Sequence, residues 1–277
     1  MTTPRIVGTD FGGPAGARLL LLGPSLGTSA ATLWKPVAER LAERARVVAW
    51  DLPGHGRSPA SGPFRMPELA AAVLALADDI APGQRFAYAG DSVGGAVGLQ
   101  LLLDAPERVT SAALLCTGAV IGDPELWRVR AATVRESGTE SVVLLSAERW
   151  FAAGFADREP AVAAALLDAL RDTNAECYAL VCEALAVFDV VDRLPQITTP
   201  VLAIAGAKDI PTPDESMVII RFADPHGIDF PYLLSMLGGS WMSRPNNILV
   251  PGGKMGLALQ LILTPMLLRL KDLRRRA

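Results

Sequence analysis

The sequence predicts an α/β fold: a mainly parallel sheet flanked by helices, with a helical insertion. Three observations predict it. Short, continuously apolar runs alternate with helix-like stretches through residues 18–116, the pattern of strands buried on both faces and joined by crossover helices. The apolar run at 85–89 breaks into Gly90-Asp91-Ser92-Val93-Gly94, a G-x-S-x-G pattern, and a Gly/Ala-rich helical stretch follows at once. From 121 to 194 the pattern is helical only, and a strand-like run returns at 200–206.

The elements follow in order. Residues 18–22 read as an apolar strand and 33–43 have helical spacing. A second strand at 46–50, a helix at 66–79 and a third strand at 85–89 come next. The helix at 94–103 leads to a strand at 109–116. After the strand at 200–206 lies a loop at 207–213, a helix at 214–222 and a candidate last strand at 232–237. This gives a core part at 1–120, a helical lid at 121–194 and a second core part at 195–277, of which 218–277 is atypical. Trp127, Trp150, Phe151 and Phe155 are read as residues that pack the lid onto the body.

Composition narrows the function. A net charge of −3 offers no electrostatic footprint for nucleic acid or a membrane surface. The apolar stretch at 256–270 is interrupted by Gln260, Pro265 and Arg269 and is too short to span a bilayer. The first residues lack the charged-then-apolar pattern of a secretory signal, and three cysteines suit reduced thiols, so a cytoplasmic location is expected. Two histidines argue against a multi-histidine metal site, and neither metal nor cofactor is expected. A small molecule is the expected partner.

The G-x-S-x-G context is that of a nucleophile elbow, in which the serine sits on a sharp strand-to-helix turn above the sheet. Gly90 and Gly94 suit it because such a turn forces neighbouring backbones together. The helix beginning behind Ser92 aims its first N–H groups at whatever the serine attacks. A serine nucleophile also needs a base, an orienting carboxylate and oxyanion donors. Asp209, just past a late strand, has the place and chain order of the carboxylate; capping the next helix is the other reading. Val93 N–H and, from the loop Leu22-Gly23-Pro24-Ser25-Leu26-Gly27-Thr28, Leu26 N–H are the candidate oxyanion donors.

Four segments carry a family resemblance. Pro24-Ser25-Leu26-Gly27-Thr28 with Trp34 resembles the oxyanion loop of 3-oxoadipate enol-lactonases. Asp51-Leu52-Pro53-Gly54-His55-Gly56-Arg57-Ser58 is similar to a loop common across the α/β-hydrolase superfamily, as is Ala105-Pro106-Glu107-Arg108-Val109. Glu148-Arg149-Trp150-Phe151 resembles a segment of the enol-lactonase group. The resemblance covers about residues 4–217. It implies a serine hydrolase that opens a small enol-lactone of aromatic catabolism through an acyl-enzyme, without a cofactor. The alternatives are a general carboxylesterase of the same superfamily and a catalytically impaired binding protein with this fold. That group's substrate carries a carboxylate, which makes Arg128, Arg130, Arg135 and Arg149 candidate lid cations.

The base departs from the pattern. By resemblance it should follow one more helix and one more strand after Asp209. His226 follows the predicted helix directly, before any strand, and the residues after 232–237 contain no histidine. His226 is the candidate base by chain order, but this placement puts it at the far edge of the sheet from Ser92. His55 belongs to a loop that flanks the pocket. Composition breaks at the same place: residues 1–217 hold 40 alanines, 18 basic and 26 acidic residues, whereas 218–277 hold 3, 8 and 3. A replaced or frame-altered C-terminal segment is the expectation.

Overall fold

The computed structural model describes residues 2–152, 154–206, 243–244 and 247–250. Asp209, His226 and the predicted elements at 214–222 and 232–237 lie outside the described residues.

The strands are β1 (Val7–Gly12), β2 (Leu19–Gly23), β3 (Arg46–Asp51), β4 (Phe86–Asp91), β5 (Val109–Leu115), β6 (Val201–Gly206), β7 (Ser243–Arg244) and β8 (Asn247–Val250). Among the described residues they form one sheet in the order β1-β3-β2-β4-β5-β6-β8-β7. β1 runs antiparallel to β3 and β7 antiparallel to β8, while every other pair is parallel. Every residue of β2 is buried, so both of its faces are covered. A strand covered on both sides reads as an unbroken apolar run, which is why Leu19 to Leu22 are all leucine. β1 is the strand that the apolar pattern misses: its residues are half-buried or exposed, at the edge of the sheet.

α1 (Ala30–Leu41) starts earlier than its apolar spacing predicts. Ser29 caps it, accepting from Thr32 N–H while Thr32 Oγ1 accepts from Ser29 N–H, and this box satisfies two otherwise orphaned donors. α2 (Met66–Ile80) carries Pro67 in its first turn, where the missing N–H costs no helical bond. α3 (Val93–Asp104) is buried from Val93 through Leu102 and lies against β2, β4 and β5, with α2 packed on it.

Between β5 and β6 the chain is helical. It runs through α4 (Pro124–Ser137), a 3₁₀ turn at Thr139–Val142, α5 (Val143–Trp150), α6 (Phe155–Arg158), α7 (Pro160–Arg171), α8 (Ala175–Ala186) and a second 3₁₀ turn at Val191–Gln196. α4 packs along α8, and α7 touches both α5 and α1. Trp150 and Phe155 are buried, whereas Trp127 and Phe151 are partly buried against the core. No helix among the described residues is long and apolar enough to cross a membrane.

Candidate active site

Ser92 stands between the last residue of β4 and the first of α3, at φ 54° and ψ −115°. A non-glycine residue in that region of backbone space carries strain of about 1–3 kcal/mol and persists only where its surroundings fix it. Three hydrogen bonds do so. Ser92 N–H donates to Leu115 O at 2.9 Å, and Ser92 O accepts from Ala96 N–H at 3.0 Å and from Thr117 Oγ1 at 2.8 Å. The turn is therefore braced by the neighbouring strand, by its own helix and by a side chain beyond β5.

The two glycines of the motif stand where the chain crosses itself. A Cβ on Gly90 would run into the Gly94 carbonyl, and one on Gly94 would lie 2.5 Å from the Gly23 carbonyl carbon. Gly94 N–H donates to Pro24 O at 2.9 Å, and Tyr88 Oη donates to Gly94 O at 2.7 Å. The serine turn is thus fastened to the loop after β2, which the sequence nominates for the second oxyanion donor.

That loop closes as a tight turn, with Thr28 N–H and Thr28 Oγ1 both donating to Ser25 O, at 3.2 and 2.8 Å. Gly27 has φ +79°, the left-handed region where glycine is unstrained. A Cβ there would meet Leu170, Trp150 and Tyr178, so the helices after β5 rest directly on this turn. Trp34 Nε1 donates to Gly23 O at 3.1 Å and steadies the loop from α1. Leu26 is buried in it, and Val93 opens α3, whose first N–H groups have no intrahelical acceptor.

The loop after β3 supports the same region. Buried Asp51 accepts from Ala30 N–H at 2.6 Å and Arg57 N–H at 2.9 Å, joining the start of α1 to the Gly-His-Gly turn. Burial raises its pKa, opposed by those two backbone donors. His55 is fully buried; its Nδ1 pairs with Pro53 O at 2.9 Å, so Nδ1 carries the proton. Its ring stacks on Tyr178 with centroids 6.3 Å apart, and burial pulls its pKa down to about 4. A neutral ring wedged against the helical segment is what the structure makes of His55.

The four candidate cations separate clearly. Arg128 is exposed and pairs with Glu125 on its own helix. Arg135 is held by Glu176 at 2.8 Å and by Glu183. Arg130 and Arg149 have no carboxylate partner among the described residues. Arg130 donates through Nε to Tyr178 Oη and through Nη2 to Ser146 Oγ, both at 2.8 Å. Arg149 is half-buried, and burial and then the nearby Arg130 charge lower its pKa. Two half-buried guanidinium groups that repel one another, with a tyrosine and a serine beside them, make a site suited to an anion. Sequence spacing could not reveal it, because Arg130 and Tyr178 are 48 residues apart. No cluster of three or more potential metal ligands exists among the described residues.

A family model for the alpha/beta hydrolase fold matches residues 18–231. The chain is 37% identical over 198 residues to 3-oxoadipate enol-lactonase 2 of Acinetobacter baylyi, covering 71% of this chain and 73% of that enzyme. The crystal structure of the enol-lactonase from Burkholderia xenovorans LB400 superposes with a TM-score of 0.81 at 27% identity, covering 98% of this chain and 96% of that one. A different relation accompanies these. Over 71 residues the chain is 66% identical to the phosphoribulokinase of Xanthobacter flavus, covering 26% of this chain and only 24% of that enzyme.

Proposed function

Because the chain belongs to the alpha/beta hydrolase family, we propose that it is a serine hydrolase of the enol-lactonase type, acting on a small lactone of aromatic catabolism in the cytoplasm. The observation that carries this reading is the strained Ser92 turn fastened to the loop after β2 by Gly94 N–H and Pro24 O. In the proposed reaction Ser92 Oγ adds to the ring carbonyl, and its proton passes to a general base. Leu26 and Val93 N–H take the oxyanion that forms. Collapse breaks the ring C–O bond, the enol oxygen leaves with a proton, and water then attacks the acyl carbon to free Ser92. Asp209 and His226 follow Ser92 in the order acid then base that such triads have, and are the candidates for those roles.

The helices between β5 and β6 would serve as the lid, with Arg149 and Arg130 receiving the substrate carboxylate. A guanidinium in a half-buried site offers paired donors that match a carboxylate. This pair is what favours a lactone that carries an acid over a neutral ester.

Comparative turnover tests the reading. The expected result is a kcat/KM for 3-oxoadipate enol-lactone above that for short aryl esters. The reverse order would make the chain a carboxylesterase, and no rate above buffer on either substrate would favour a binding protein built on this fold.

A further inference from the structure

We propose that the C-terminal end of the chain, from about residue 207 onward, is a phosphoribulokinase-type segment joined to an alpha/beta-hydrolase body, and that His226, as part of that segment, is not the base of Ser92. The inference rests on the hydrolase reading above.

Three observations converge on the end of the chain. The motifs shared with hydrolases run from Pro24 to Phe151, and the hydrolase family match stops at residue 231. The kinase likeness is much closer than the lactonase likeness but short, 66% over 71 residues, a length that at the end of a 277-residue chain begins near residue 207 and takes in Asp209 as well as His226. The stretch after Met217 is 60 residues long, and there alanine falls from 40 residues to 3 while the acidic excess becomes a basic one. A chain that changes composition near its end, and resembles two unrelated enzymes of which the second matches only about a quarter of it, has two origins on this reading.

Strand order gives the chemical consequence. Catalytic groups in a parallel sheet gather beyond the carboxyl ends of the strands, where Ser92 stands after β4, and the base comes after the acid in the chain. The strand that pairs in parallel with β6 is β8, with Ala203 opposite Asn247 and Gly206 opposite Val250. At its carboxyl end the sequence reads Pro251-Gly252-Gly253-Lys254-Met255, without histidine. The chain has two histidines; His226 precedes β8 by 21 residues and His55 is committed to Pro53 O and Tyr178. Neither follows β8, where the strand order would put a base.

Two variants of the full chain test this. His226→Ala is expected to leave enol-lactone turnover within about two-fold. Exchange of residues 207–277 for the matching terminal segment of the Acinetobacter baylyi enol-lactonase is expected to raise kcat by about 10⁴-fold or more, the scale set by one missing triad member. A loss of about 10³-fold in His226→Ala, repeated in His226→Gln with the melting temperature unchanged, overturns the inference and leaves the hydrolase reading intact. A folded exchange variant that cleaves neither the lactone nor aryl esters overturns the hydrolase reading on which the inference stands.

Discussion

The serine turn and the helices that cover it are held by different forces. Around Ser92 the backbone packs on backbone: Gly90 on Gly94, Gly94 on Gly23, with hydrogen bonds to Pro24 O and Leu115 O and from Thr117 Oγ1. Nothing there can move without breaking several contacts at once. The helices after β5 are joined at their surface by long charged side chains, Arg135 to Glu176 and Glu183 and Arg171 to Glu140. Such pairs are solvated and individually weak. A rigid serine turn beneath helices joined by weaker surface contacts fits the proposed enzyme, whose chemistry needs fixed geometry and whose substrate must enter and leave.

The sharpest way to break this contrast is Gly94→Ala. Its methyl would meet the Gly23 backbone on a turn that has no free space. Destabilisation of about 3 kcal/mol or more is expected in chemical unfolding, with loss of turnover. A mild effect would show that the turn is looser than its contacts imply.

Acid should act through His55, which ties the two regions together. Folded, its pKa lies near 4 against an ordinary 6.5, so the unfolded chain binds the extra proton between those values. Its contribution to stability is then complete above pH 6.5 and lost as pH falls toward 4, by up to about 3 kcal/mol. Melting curves across that range, compared with those of His55→Leu, should show a slope in the parent that the variant lacks.

A smaller effect, confined to the cover, is expected for Arg149→Gln. It should raise KM for the acid-bearing lactone by roughly 10- to 100-fold, the worth of a charge-assisted hydrogen bond. KM for a neutral aryl ester should stay unchanged. Equal losses on both substrates would remove Arg149 from carboxylate binding. The smallest effect belongs to Arg135→Ala, for which exposed pairing predicts less than about 1 kcal/mol. A larger change in the unfolding midpoint would show that the helical cover depends on its surface charges.

Sequence and structure agree best where the physics is local. The strands β2 to β5 announce themselves as apolar runs because both faces are covered, and Gly90-Asp91-Ser92-Val93-Gly94 announces the turn because only glycine tolerates such crossings. β1 was hidden because an edge strand alternates weakly: Val7, Thr9 and Phe11 are the faint period-two signal that marks it. The start of α1 was legible only through its cap at Ser29 and Thr32, not through apolar spacing. Contacts across long separations were illegible, since nothing local ties Arg130 to Tyr178, Asp51 to Ala30, or His55 to Tyr178, 123 residues later in the chain. The change in composition after Met217 is legible in the sequence.

One measurement bears most directly on Ser92 as a nucleophile set in a fixed turn. Prolonged reaction of the folded chain with a fluorophosphonate, followed by peptide mass spectrometry, should place a single adduct on Ser92. Even with little help from a base, the oxyanion donors should favour that hydroxyl over every other one. The same treatment after thermal unfolding should leave Ser92 unmodified. Adducts scattered over surface residues, or none on Ser92 in the folded protein, would contradict the account.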